Sequence, residues 1–546
     1  MRFKNIRQKV NSWGILSFIF TLLVVLPCIF ILLHLLDKPN ENWYHIKNYL
    51  LKDYIIDTFK VVSFTGIFTM TIGITLAWLI AAYEFPFRKF FKWALILPLT
   101  IPPYIAAYTY NGIFNYTGIV QRFFREVIKI TPDPKAFDIM STKGAIFIFS
   151  AFLFPYVYMI SRSFLEKQSA ALIENARLLG RSSSSIFIRV ILPISRGAIV
   201  GGTSLAILEV LNDFGVVSYF GVQTFTTAIF NAWFSMGDSS TAVKLASMLM
   251  FTVFLVLMSE KWMRGRKKYS YTTAKVRDIV PIKLKGIKAV GAFFYCLTIL
   301  SIGFIIPLLQ LISWSALTYK AILNIKLIGL TFNSIWLAAI SAFFIIIISI
   351  VISNFCRMNS NWISKIFSKI SILGYSIPGA VIAIGVILLM ISIDRNMVWL
   401  YKAIDPNSKT LVLSTSIFML TFAYIIRFLA IGYQSIESGF DKIGIRFFEA
   451  SRTLGYGVTK SFFKVDLPMI KPALISGFAL VFVDIVKELL LTLILRPFNF
   501  NTLATKTYEY AGDEKIHEAA IPALIIILVS MVVVYLLYEI GDKEKR

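Results

Sequence analysis

The sequence predicts an all-α polytopic membrane protein of about twelve transmembrane helices, arranged as two parallel six-helix repeats. Three observations predict it. Of 546 residues, 57% are hydrophobic and only 16% charged, with a mean hydropathy of +0.73, whereas a soluble domain carries about 25% charged residues. The apolar residues come in blocks of about twenty, the length that crosses a hydrocarbon core of ~30 Å. Finally, residues of the second half repeat those of the first at a fixed offset.

Taken in order, the N-terminal MRFKNIRQKV is basic and runs into an apolar stretch without a small-residue cleavage site, which predicts a retained first span. Apolar blocks place spans near 13–36, 59–82, 91–114, 144–162, 196–219 and 243–261. A second set falls near 289–315, 332–355, 366–392, 410–432, 471–495 and 518–540. The domains are therefore a first repeat over 1–262 (core about 57–261), a basic linker over 263–288, and a second repeat over 289–546 (core about 332–540). An even number of spans puts both termini on one side. The basic tail and the linker, with Lys261, Arg264, Arg266, Lys267, Lys268, Lys275, Arg277, Lys283, Lys285 and Lys288, put that side in the cytoplasm. No Lys or Arg lies between Gly197 and Val243, although Arg122, Arg125, Lys129 and Lys135 in the third-to-fourth loop fit this orientation less well.

The net charge of +25 collects in short loops, so it orients helices rather than binding nucleic acid. Cys28, Cys296 and Cys356 have no paired spacing, and His34, His45 and His517 are scattered, so neither a disulfide framework nor a metal site is expected.

Ten identities carry the repeat at an offset of 275 positions: Pro103/Pro378, Glu174/Glu449, Gly180/Gly455, Phe187/Phe462, Pro193/Pro468, Ala198/Ala473, Gly202/Gly477, Thr227/Thr502, Gly237/Gly512 and Asp238/Asp513. Six spans per copy give both copies the same sense through the membrane, with a pseudo-two-fold axis along its normal. Pro102/Pro103 and Pro378 predict kinks in the third and ninth spans, where a fixed packing kink is favoured over a gate.

The fourth-to-fifth loops read SAALIENARLLGRSSSSIFIRVILPISRGA and IGIRFFEASRTLGYGVTKSFFKVDLPMIKPA. Each predicts a short helix that breaks at Gly180 or Gly455, where a residue at positive φ is needed, then an amphipathic segment ending at Pro193 or Pro468 just ahead of the next span. Leu172, Ile173, Leu178, Leu179, Phe447, Phe448 and Leu454 are apolar on these polar-side loops, while Ala176 and Ala450 are small. Packing against the protein's own helix ends would explain them; one docking knob per half for a cytoplasmic partner explains the shared Glu, Gly and Pro spacing better.

The Glu-x-(Ala/Ser-rich)-Gly pattern, followed thirteen residues later by Pro, resembles the EAA loop of type-1 ABC importer permeases. The segments LPLTIPPYIAAYTYNGIF, LEVLNDFGVVSYFGVQTFTTAIFNAWFS and KELLLTLILRPFNFNTLATKTYEYAGDE are similar to fused, two-fold permeases of ferric-iron importers. Sulfate, molybdate, thiamine, polyamine and phosphonate permeases share much of this architecture. The resemblance implies coupling roles for Glu174, Ala176, Gly180 and Pro193, and for Glu449, Ala450, Gly455 and Pro468. Asn175 and Ser451 depart from the pattern. It also implies two copies of a separate ATP-hydrolysing subunit, and one extracytoplasmic binding protein docking near Gly237/Asp238 and Gly512/Asp513. No G-x-x-x-x-G-K-[ST] loop occurs, so no ATPase site and no bound cofactor is expected in this chain; ATP is used by the partners.

Four carboxylates fall inside spans: Glu209 and Asp213, four apart on one predicted helix face, and their counterparts Asp484 and Glu488. At about 1.5 Å per residue from Arg196, Glu209 lies roughly 20 Å deep. Charges at that depth face an interior path or a partner. One reading is a path for a hard cation such as ferric iron, which prefers oxygen ligands; the other is structural ion pairing, with Lys487 adjacent. A major-facilitator-type secondary transporter also has six plus six spans, but the second-to-third loop, AYEFPFRKFFK, lacks that family's glycines and acid–arginine pattern. A membrane enzyme would need a cluster of metal or nucleophile ligands that the sequence does not offer.

Overall fold

The computed structural model of the chain describes residues 12–131, 133–166, 176, 178–264, 281–359, 361–407 and 409–543. Among them, ten helices are long and apolar enough to cross a membrane, or twelve if two sharply bent pairs each count as one span. The first half comprises α1 (Ser12–His34), α2 (Glu41–Ala82), α3 (Arg88–Thr100), α4 (Pro103–Phe114), α5 (Thr142–Glu166), α6 (Phe187–Asn212), α7 (Gly215–Tyr219), α8 (Phe225–Phe234) and α9 (Ser239–Arg264). The second comprises α10 (Ile287–Ile322), α11 (Ile325–Met358), α12 (Trp362–Ser376), α13 (Gly379–Ile404), α14 (Ile417–Ile443), α15 (Arg446–Thr453), α16 (Val458–Met469), α17 (Lys471–Lys487), α18 (Leu490–Leu495), α19 (Leu503–Gly512) and α20 (Ala520–Lys543). Large apolar side chains such as Phe18, Leu32, Phe294 and Leu309 stay exposed along α1 and α10, as a lipid-facing surface requires. One small exception to the all-α fold is a parallel pair, β1 (Tyr83–Glu84) with β2 (Ile282–Lys283), which ties the end of the linker to the turn after α2.

Four of the expected spans are interrupted. The stretches on either side of Ile101–Pro102 meet at 91°, so the third span is two helices rather than one kinked rod. Ile101 (φ −96°, ψ 110°) and Ile377 (φ −85°, ψ 125°) are extended because the following proline ring excludes the α region. Pro102 (φ −54°, ψ 139°) and Pro378 (φ −57°, ψ 143°) then precede the first helical residue. The structural partner of Pro378 is therefore Pro102, not Pro103, and the expected ninth span at 366–392 straddles a break. In the fifth and eleventh spans, α6 stops at Asn212 and α17 at Lys487, where Asp213 (φ −73°, ψ 134°) and Glu488 (φ −69°, ψ 122°) turn extended.

The constant offset, already one residue out at Pro102/Pro378, fails again farther on. Thr224 and Thr227 form a reciprocal capping box at the start of α8, and Thr502 and Thr505 form the same box on α19. Thr502 thus matches Thr224 rather than Thr227, so the second half is three residues longer here. Gly237 lies in the turn after α8 at φ +61° and Asp238 caps α9, whereas Gly512 ends α19 and Asp513 follows it. Gly237/Gly512 and Asp238/Asp513 are not structural equivalents.

The first helix of each half crosses to the other. Trp13 of α1 sits edge-on to Phe462 at 5.0 Å and donates its indole N–H to Thr459 at 3.3 Å. A Cβ on Gly385 would lie 2.7 Å from the Pro27 carbonyl, so glycine permits that approach. In the reverse direction, Tyr110 donates to the Ile302 carbonyl at 2.5 Å, and Thr75 and Tyr295 share a hydrogen bond at 2.7 Å.

Candidate functional site

Asp213 and Glu488 become helix caps because each follows a helix end and precedes a new short helix. The Val216 N–H donates to Asp213 at 2.8 Å, and the Leu491 N–H donates to Glu488 at 3.1 Å. The breaks turn both carboxylates inward, and all four sequence-predicted acids line one cavity of about 130 Å³ between the halves. Glu209 and Asp213 reach it from a helix and from beyond a helix end, not from one helix face as the spacing suggested.

Each of the four has a protein partner. The Tyr375 hydroxyl donates to Glu209. Lys487 lies 3.1 Å from Asp484, and Arg427 lies 3.3 Å from Glu488. Arg427 also donates to the Asn212 side-chain oxygen at 2.7 Å, an oxygen that accepts the Gly379 N–H at 2.5 Å as well, so two bonds cross between the halves. Sequence reasoning missed Arg427, although a lone arginine in the apolar span 410–432 is costly enough to have drawn notice. Among the described residues, no group of three or more His, Cys, Asp or Glu side chains is placed to hold a metal ion.

Tyr156, Tyr375, Asp484 and Lys487 also line a second cavity of about 860 Å³, which reaches Gly197, Glu260 and Arg264 at the end of the bundle bearing Gly180 and Gly455. A third cavity, about 930 Å³, opens at the opposite end beside Asn111, Tyr219, Tyr508 and Glu514. An aromatic layer divides it from the centre: Tyr508 packs against Tyr104 at 6.4 Å and Phe214 at 6.0 Å between ring centres. The central site is thus continuous in its lining with the Gly180/Gly455 end and screened from the other.

At that first end, Gly180 (φ +72°) and Gly455 (φ +86°) take the left-handed conformation their positions demanded. Leu179 and Leu454 are 80% and 78% exposed, and Ile188 and Phe463 are 61% and 57% exposed. The two halves therefore present matched apolar patches. Glu449 and Ala450 are exposed on α15, Ser451 is buried, and Ala176 is half-buried; Glu174 lies outside the described residues, as do Leu172, Ile173 and most of the linker. Pro193 sits inside α6, whereas Pro468 stands at the end of α16 just ahead of α17, as expected. Each follows a wide π turn, Phe187–Ile191 or Phe462–Asp466, which accommodates a proline ring that would otherwise meet a carbonyl of the preceding turn.

The second loop has an anchor that sequence reasoning missed. Arg357, at the end of α11, pairs with the fully buried Asp466 at 2.9 Å. Its guanidinium lies 4.4 Å from the Phe440 ring centre and 5.5 Å from that of Phe448 on α15. At the far end, Asp238 accepts from the Thr241 N–H and hydroxyl (3.1 and 2.6 Å) and from the Asn40 and Asn42 amides (2.6 and 3.1 Å). Burial pushes its carboxyl up, but these bonds outweigh burial and hold it below the usual carboxylate range. Asp238 is thus committed to capping α9, while Asp513 is exposed.

Residues 69–261 and 345–546 both match the family described as "Binding-protein-dependent transport system inner membrane component". The Fe(3+)-transport system permease protein FbpB 2 of Haemophilus influenzae is 26% identical over 506 residues, covering 90% of this chain and 91% of that protein. The molybdenum transport system permease protein ModB of Escherichia coli is 26% identical over 215 residues, covering 38% of this chain and 91% of its own length. The sulfate transport system permease protein CysT of Salmonella typhimurium is 24% identical over 255 residues, covering 44% and 88%. Two family repeats and an all-α multi-pass fold leave no room for the secondary-transporter reading: the chain is an inner-membrane permease component of the binding-protein-dependent ABC transport systems.

Proposed function

We propose that this chain is the permease of an ATP-driven importer of ferric iron, moving its cargo through the cavity lined by Glu209, Asp213, Asp484 and Glu488. The observation that carries the iron reading is the end-to-end likeness to the Haemophilus ferric permease across both halves. A central cavity whose polar lining is mainly carboxylate, phenol and amide oxygen supports it, because a hard trivalent cation prefers oxygen donors.

The functional units are the repeats 1–262 and 289–546 joined by the linker 263–288. Both termini and the Gly180/Gly455 end are cytoplasmic. Glu174, Ala176, Gly180 and Pro193, with Glu449, Ala450, Gly455 and Pro468, form two seats for two ATP-hydrolysing subunits. One extracytoplasmic binding protein delivers cargo to the opposite cavity. ATP is bound and cleaved by the partners; this chain has no ATPase site and needs no cofactor of its own. When the ATPases close, α15 and the 174–180 segment of the first loop move together, and α6 and α17 swing with the segments joined to them through Gly180 and Gly455. The Tyr104–Phe214–Tyr508 layer parts as the cytoplasmic cavity closes, then reseals after hydrolysis.

A second reading, an oxyanion permease, draws on Arg427 and Lys487 in the same cavity and on the molybdenum and sulfate relatives. Uptake of radiolabelled ferric iron in cells lacking other iron importers separates the two. With ATPase and binding protein co-expressed, iron uptake that Glu449→Arg abolishes at unchanged protein level supports both cargo and seat. An assembled, ATP-hydrolysing complex that takes up no iron overturns the iron reading and favours the oxyanion.

A further inference from the structure

We infer that Lys487 and Arg427 are tethered counter-cations, standing on Asp484 and Glu488 in the place that a passing trivalent cation takes. This rests on the ferric reading above and adds how the cargo is released. Four acids facing a small cavity inside a membrane repel one another and are costly to leave uncompensated. The repeat does not need cations to build the site: Asp213 caps α7 through the Val216 N–H, just as Glu488 caps α18 through the Leu491 N–H. The first-half positions matching Lys487 and Arg427 at the 275 offset are Asn212 and Phe152, neither charged. Both positive charges therefore come from the second half, superimposed on a capping frame that is complete without them.

The two differ in freedom. Arg427 is 8% exposed and held between Glu488 and Asn212; it is a fixed charge. Lys487 is 21% exposed and Asp484 33%, and both line the central cavity and the cytoplasmic one. A lysine is a compact charge on a flexible stem, so at this junction it can leave Asp484 when a cation arrives and return when the cation departs inward. Its return neutralises the last carboxylate on the route and keeps the cargo from being held there.

The sign of one substitution tests this. Assembled transporter in proteoliposomes is loaded with gallium(III) citrate, a redox-inert stand-in for ferric citrate, and retained metal is counted after gel filtration beside uptake and ATP hydrolysis. Lys487→Met, with Lys487→Gln as a second neutral variant, is expected to retain about tenfold more gallium and to lose most uptake while still hydrolysing ATP. Lys487→Arg should behave as the parent, and adding Asp484→Asn to Lys487→Met should return retention to the parental level. Unchanged or lower gallium retention in both neutral variants overturns the inference; if the parent imports iron, the ferric reading survives that result. A neutral variant that gains gallium in a complex that imports no iron overturns the ferric reading, and with it the account of how cargo is released. If the parent instead carries molybdate and Lys487→Met abolishes its retention, the lysine is a ligand for an oxyanion and both readings fall.

Discussion

At the root of the fourth-to-fifth loop of the first half stand Ala81, Ala82, Leu165 and Ile191, all apolar and at most 4% exposed; the matching stretches of the second half hold Arg357, Phe440 and Asp466, with an ion pair at 2.9 Å. The segments they support differ too. α6 runs unbroken from Phe187 to Asn212, while α16 and α17 meet at 73°, with Pro472 standing where the first half has Gly197. An apolar junction lets surfaces slide at small cost, whereas a buried guanidinium–carboxylate pair has one good geometry. The contrast indicates a compliant joint in the first half and a stiff elbow in the second, behind matched outer patches.

The largest expected effect comes from breaking the stiff joint. Arg357→Ala leaves Asp466 buried without a counter-charge and should destabilise the protein by about 3–5 kcal/mol, read as a fall in denaturant midpoint of the purified permease. Adding Asp466→Ile copies the first half and should recover most of that loss; a double variant as unstable as the single one would mean that the pair is incidental. A smaller effect should fall equally on both halves. Gly180→Val and Gly455→Val each force a β-branched residue to positive φ, costing at least about 1–2 kcal/mol and lowering transport per ATP hydrolysed. If only one of them matters, the two loops are not equivalent in use. The smallest lies at the other end, where Asp238→Ala should cost about 1 kcal/mol as a lost cap and Asp513→Ala should change little. Because the Asp238 carboxyl is lowered on folding, its contribution is complete above the unfolded carboxylate pKa and is lost as pH falls through the folded one. A stability difference between parent and Asp238→Ala that persists undiminished into strong acid would rule this out.

Much of the fold was legible. Span length, the repeat and the positive-φ glycines follow from hydropathy, identity and backbone sterics, each local in sequence. The four acids line one cavity between the halves, the inward placement expected of charge in an apolar span. What escaped depends on contacts distant in the chain: the crossing of α1 onto α11–α13, the Arg427–Asn212 bond and the Arg357–Asp466 pair join residues over a hundred positions apart. The breaks at Ile101 and Ile377 were partly readable, because X-Pro steric exclusion pointed to the place but a kink was expected where the chain turns fully. Counting identities at one offset concealed the three-residue slip before Thr502, which only the matching capping boxes expose.

The crossing of α1 and α10 bears on why the two repeats share one chain. Each half keeps part of its flank under the other's first helix, so adhesion between them is already provided by interlocked surfaces, as in an exchanged dimer. Fusion then contributes something separate: pairing of unlike partners at fixed one-to-one stoichiometry and high effective concentration. That guarantee has value only when the halves have ceased to be interchangeable, and a half bearing Arg357, Arg427 and Lys487 cannot be replaced by a second copy of the half that lacks them.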